Sequence, residues 1–211
     1  MRAADIATVF RTFLVILVLY LVIIKYNPLI SVLLFLIATA LDGIDGYLAI
    51  WQESSHKISF STYLKAAISK NRIAKASISR YKSKASINAR FGPRIDVAAD
   101  RIAEYAMFII FLYLGIVPLY IVIAIVVIHS FADALMGARG TSSGMKTKAA
   151  KLIYSSNISR ALINVLKIIT FSYLIFEYVD NYPQILGYIL ISGLFIMILL
   201  RGAVEIYDSI V

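Results

Sequence analysis

Six apolar stretches, each near the length of a membrane-crossing helix, limit this chain more than any other feature. They fall at Ile6–Ile24, Leu29–Ile50, Asp96–Val117, Leu119–Leu135, Arg160–Tyr178 and Ile185–Leu200. About 20 residues of helix cover the hydrocarbon layer, so each stretch can span it once its polar ends enter the interface. Pro28, Pro118 and Pro183 follow the first, third and fifth stretches and mark short hairpin turns. Pro93 precedes the third, where a first-turn proline is tolerated. The expected fold is an all-α integral membrane protein. It has six transmembrane helices in a single domain over residues 1–211, with a basic, partly helical cytoplasmic insertion at 51–91.

Composition supports the lipid setting and narrows the chemistry. The chain is 61% hydrophobic, with mean hydropathy +0.84, beyond an ordinary soluble domain. It has no cysteine, which excludes disulfides, thiolate catalysis and zinc–thiolate sites. His56 and His129 are its only imidazoles, too few for a histidine metal site and a poor basis for a histidine triad.

The net charge of +9 is explained by where the bases fall, and nucleic acid is not needed to account for it. Ten lysines and arginines lie between Trp51 and Ile95 against the single acid Glu53. Arg139, Lys146, Lys148, Lys151 and Arg160 follow in the second long loop, and Arg2, Arg11 and Arg201 fall on the same side. The proline turns hold only Lys25 among the bases, beside Glu177 and Asp180. The positive-inside rule then puts both termini and both long loops in the cytoplasm of a multi-pass cell-membrane protein. The first helix is followed by no small-residue cleavage site, so it is expected to stay on.

Against this background four acids stand out. Asp42 and Asp45 end a helix descending to the cytoplasm, and Asp96 and Asp100 begin the next one rising from it. Spacings of three and four residues put each pair on one helix face. Carboxylates at a bilayer edge are costly unless paired, solvated or bound to a cation. Four of them with no equally close cluster of bases suggest a metal site. A helix cap is the plain alternative for either aspartate alone, as is close helix packing for Gly43 and Gly46.

Together the residues run Asp42-x2-Asp45-Gly46-x2-Ala49, then a gap, then Gly92-x3-Asp96-x3-Asp100. This resembles the signature of the CDP-alcohol phosphotransferases, D-x2-D-G-x2-A-R, a gap of about eight residues, then G-x3-D-x3-D. Near the start, Ala4-Asp5-Ile6-Ala7-Thr8-Val9-Phe10-Arg11 looks like that family's P-N-x-x-T-x-x-R segment. The resemblance implies transfer of a phosphatidyl-type or archaetidyl-type group from a CDP-linked lipid to an alcohol, releasing CMP. It implies two Mg²⁺ or Mn²⁺ ions on Asp42, Asp45, Asp96 and Asp100, with Asp100 also the general base. Gly46, Ala49 and Gly92 would let the nucleotide approach, Thr8 and Arg11 would contact the CDP-lipid, and a homodimer is expected. The physical chemistry agrees: hard cations take carboxylate oxygen and clamp phosphates, and a carboxylate can accept a hydroxyl proton.

Two departures from the pattern matter. Ile50 stands where the signature has arginine, and residues 51–91 replace the short gap. Ala89 also stands where many members carry serine or threonine. Arg90 and Arg94 flank Gly92 and are the nearest substitutes for the lost guanidinium, with Arg72 and Arg80 further off. Simple solvation of a cytoplasmic loop is the competing account of these bases. Leu64, Ala67, Ile68, Ala74, Ile78, Tyr81 and Ala85 recur near helical spacing among bases, a pattern for a helix lying on an anionic membrane.

On the acceptor side, Gly137-Ala138-Arg139-Gly140 and Ser159-Arg160-Ala161 are similar to K-A-R-A and E-R-A stretches of inositol-phosphate-using members. Arg139, Arg160 and Arg201 would then bind a phosphorylated alcohol such as glycerol phosphate or inositol phosphate; as interfacial anchors they need no ligand. Two other function classes compete: a cation transporter or channel, in which membrane acids line an ion path, and a non-catalytic relative, suggested by Ile50.

Overall fold

A computed structural model describes residues 3–54, 58–63, 92–139, 146–154 and 156–210. Seven helices have both ends among them, besides helical residues at 60–63: α1 (Ala3–Ile23), α2 (Pro28–Glu53), α3 (Gly92–Tyr113), α4 (Leu119–Arg139), α5 (Lys148–Ile153), α6 (Asn157–Asp180) and α7 (Gln184–Ile210). No strand occurs among the described residues. The all-α expectation holds, and five of the expected spans have helices at or beyond their bounds within a residue or so. The third is displaced, starting at Gly92 with Pro93 inside its first turn and ending at Tyr113.

Three helices are long and apolar enough to cross a bilayer, over Asp5–Ile23, Ile158–Asp180 and Gln184–Ile210. Shorter apolar stretches lie at Pro28–Ile44 and Leu119–Leu135. In α3, Arg94, Asp96, Asp100, Arg101 and Glu104 are charged, which dilutes its apolar length. The chain thus reads as a membrane protein with three clear spans among the described residues. Large apolar side chains exposed along these helices suit a lipid environment, among them Phe13, Leu29, Leu119 and Ile185.

The three short turns share one solution. Lys25, Gly115 and Asn181 each take the left-handed conformation just after a helix, with φ of 51°, 77° and 56°. At the first, Tyr26 N–H donates to Leu21 O at 2.9 Å, and at the second Ile116 N–H donates to Phe111 O at 2.9 Å. These bonds satisfy carbonyls that a helix end leaves open. Asn27 then caps α2, its Oδ1 accepting from Leu29 N–H at 3.0 Å, with Pro28 in the first helical position.

The chain divides into two compact units: Met1–Tyr20 with Leu33–Glu104, and Leu21–Val32 with Tyr105–Val211. The first unit buries Leu14, Val15, Val18, Phe35, Ala38 and Ala99. In the second, α7 is central and packs on α4, α5 and α6. Its core includes Phe108, Phe111, Ile125, Leu174, Ile191 and Ile198. Phe171 meets Phe108 edge-on, with centroids 5.1 Å apart, and stacks near Phe111 at 6.2 Å. Gly202 lets α7 approach α4, since a Cβ there would lie 2.6 Å from Ile128 Cγ1.

Candidate active site

The first unit brings α1, α2 and α3 together around one guanidinium. Arg11, on α1, has a side chain only 5% exposed, and its Nη1 pairs with Asp42 Oδ1 of α2. Its Nη2 donates to Asp100 Oδ1 of α3 at 2.6 Å, across 89 positions of sequence. One carboxylate from each half of the split aspartate motif therefore meets the same cation. The carboxylates remain open, Asp42 at 41% and Asp100 at 51% exposure. A planar fork suits this arrangement because it reaches two oxygens with separate nitrogens.

Thr8 lies one turn before Arg11 and is buried, and its carbonyl accepts from Thr12 Oγ1 at 3.0 Å. Ile50 is 3% exposed, so the position that carries arginine in the signature is here part of the packed interior. Beyond α2 the chain turns back: Tyr47 Oη donates to Ile58 O at 3.1 Å, and the Tyr47 ring contacts Phe60 and Tyr63. Arg101 reaches Glu104 Oε2 at 3.5 Å, a pair three residues apart on α3.

The remaining motif residues are described only in part. Asp45, Gly46 and Ala49 lie in α2, and Gly92, Arg94 and Asp96 in α3, by their backbone alone. Their side chains fall outside the description. Arg90 and the helical pattern from Leu64 to Ala85 lie outside the described residues altogether. No group of three or more His, Cys, Asp or Glu side chains that could hold a metal occurs among the described residues.

The acceptor-side arginines belong to the second unit. Arg139 ends α4, described by its backbone, and Arg160 is exposed in the first turn of α6. Arg201, in α7, is engaged with the chain itself. Its Nη1 donates to Ile153 O at 3.0 Å and Ser159 Oγ at 2.7 Å, its Nη2 to Tyr154 O at 3.3 Å, and it lies over the Tyr154 ring. Asp208, fully buried one turn from the end of α7, accepts from Thr147 N–H at 2.6 Å and Lys146 N–H at 3.1 Å. Thr147 in turn caps α5, its hydroxyl accepting from Ala150 N–H at 3.2 Å. Short helix α5 is thus held by α7 at both ends. The sequence reading missed Asp208; two acids, Glu205 and Asp208, in the last turns of a long apolar helix were the available signal.

Residues 1–57 match the family model described as CDP-alcohol phosphatidyltransferase. That stretch carries Thr8, Arg11 and the first half of the aspartate motif, and it ends within the first residues of the insertion. No curated protein and no solved structure matches the chain. The match over the first 57 residues supports membership of this chain in the CDP-alcohol phosphatidyltransferase family.

Proposed function

We propose that this protein is a six-span membrane transferase that moves a phosphatidyl-type group from a CDP-linked lipid to an alcohol. In the reaction the acceptor oxygen forms a bond to the lipid-bearing phosphorus, and the bond from that phosphorus to CMP breaks. The acceptor proton passes to Asp100, and CMP leaves. The observation that carries the reading is the meeting of Asp42 and Asp100 on Arg11, which joins the two motif halves despite the insertion. The family match over residues 1–57 supports the same chemistry.

The residues fit a divalent cation. Asp42 and Asp100 offer hard oxygen donors and are partly open, and a cation bound there would take over carboxylates that now pair with Arg11. Asp42, Asp45, Asp96 and Asp100 would hold Mg²⁺ or Mn²⁺, which when bound neutralises the donor diphosphate and its leaving group. Asp100 has a second task for which its exposure suits it, taking the acceptor proton. Arg11 supplies the phosphate-binding guanidinium that Ile50 does not, from α1 instead of α2. Arg90 and Arg94 are further donors for the same diphosphate, while Gly46, Ala49 and Gly92 give the nucleotide room. Arg139 and Arg160 bind the acceptor phosphate, and Arg201 contributes by holding the loop between them through Ile153 and Ser159. Cytoplasmic termini, a membrane-lying insertion and a homodimer complete the proposal.

The test is product analysis. Purified protein with a CDP-linked lipid, Mn²⁺ and a panel of glycerol phosphate, inositol phosphate, serine and glycerol is read by mass spectrometry. One acceptor should give a new phospholipid together with CMP. Metal flux through liposomes in the absence of any CDP-alcohol would point to a transporter, and nucleotide binding without turnover to a non-catalytic relative.

A further inference from the structure

The second unit holds a polar cavity of about 190 Å³ where its three left-handed turns come together. Lys25, Glu177, Tyr178, Asn181, Gln184 and Tyr188 line it, with the backbone turn at Gly115. Glu177 is 7% exposed, and its Oε2 has no hydrogen-bond partner among the described residues. Gly187 makes room for this carboxylate, since a Cβ there would overlap it. Lys25 is exposed, its ammonium held 4.6 Å from the centroid of the Tyr178 ring and in no ion pair with Glu177. Nothing in the transfer chemistry uses either group.

We propose that this cavity binds a phospholipid headgroup that carries both a primary ammonium and a phosphate. A carboxylate held at this burial with no ion-pair partner is costly, and a ligand ammonium donating to the group from the cavity removes the cost. A bare cation entering the cavity would face Lys25, and a bare phosphate would face Glu177. A zwitterion satisfies both, with its ammonium on Glu177 and its phosphate on Lys25. The amides of Asn181 and Gln184 can donate or accept along the linker between them. The site lies at the level where apolar helices end, next to Ile23 of α1, Asp180 of α6 and Gln184 of α7. Exposed Tyr188 lines it, and exposed Tyr26 and Tyr182 follow its lining residues Lys25 and Asn181 in sequence, as tyrosines do at the headgroup layer.

Native mass spectrometry of the purified full-length chain tests this with short-chain lipids. Phosphatidylethanolamine should be retained as one copy at concentrations where phosphatidylglycerol and phosphatidylcholine of equal chain length are lost. The quaternary ammonium of phosphatidylcholine cannot donate a hydrogen bond, so it reports on Glu177. Glu177→Gln should weaken retention about tenfold or more. Lys25→Met, at an exposed turn, should weaken it without threatening the fold, and Arg11→Ala should leave it unchanged. Competition by soluble phosphoethanolamine would show that the headgroup alone is recognised; a lipid-only adduct would show that the chains contribute, and either supports the site. Equal retention of all three lipids, or wild-type retention in both Glu177→Gln and Lys25→Met, would overturn it.

Discussion

Replacing Arg11 with alanine separates what this residue does for the fold from what it does for the chemistry. Its two partners are 41% and 51% exposed, so water screens both ion pairs. Pairs of that kind are worth roughly 0–1 kcal/mol each. The buried aliphatic stem adds about 1 kcal/mol of lost packing. The change should therefore cost the fold about 1–3 kcal/mol, a small downward shift in Tm for a protein of this size. Catalysis should suffer more. A guanidinium aimed at charge that develops in the transition state is worth about 3–4 kcal/mol, so kcat/KM should fall by roughly 10²–10³. Arg11→Lys keeps the charge but not the fork, and should recover stability fully and rate only in part. Initial rates of CMP release, set beside thermal unfolding in the same detergent, make the comparison. An Arg11→Ala protein that releases CMP within about threefold of wild type would refute the assignment of Arg11 to the donor phosphates.

Asp100→Asn should abolish CMP release while circular dichroism and Tm stay close to wild type, because the side chain is half exposed and keeps a hydrogen-bond acceptor for Arg11. A normal rate would remove Asp100 as the base. Asp208→Ala should be strongly destabilising, by about 2–3 kcal/mol, since it leaves the Lys146 and Thr147 N–H groups without their buried charged acceptor. Limited proteolysis should then cut near α5, and an unchanged digestion pattern would argue against the clamp. Gly202→Val should lower Tm by overfilling the α4–α7 contact at Ile128, at a cost of about 1–3 kcal/mol, whereas an unshifted Tm would show that the helices can part freely.

Much of the fold can be read in the sequence because lipid imposes few options. Apolar length gives the helices, and Asn27-Pro28, Gly115 and Asn181 carry turn chemistry in their own residue types. The helix α3 is the exception: the acids and bases that make it interesting as a site also shorten its apolar run. Short α5 is invisible for a different reason. Six residues have little helical tendency of their own, and what holds α5 is Asp208 and Arg201, roughly 50–60 residues away in sequence. The site shows the same division. The aspartate spacing and the Thr8–Arg11 segment are legible as patterns. That Arg11 takes one carboxylate from each half is a tertiary fact, set by the packing of three helices. Arg201 looks from its position like an anchor or acceptor ligand; its engagement with Ile153 and Tyr154 carbonyls leaves no mark in a sequence, since every residue carries a carbonyl.

The most direct test of the central claim is CMP release by the purified protein, measured chromatographically with a CDP-linked lipid and the acceptor panel. The account predicts CMP in step with new phospholipid, stopped by chelation and restored by Mn²⁺ or Mg²⁺. No CMP with any acceptor, from a folded protein supplied with both ions, would contradict it.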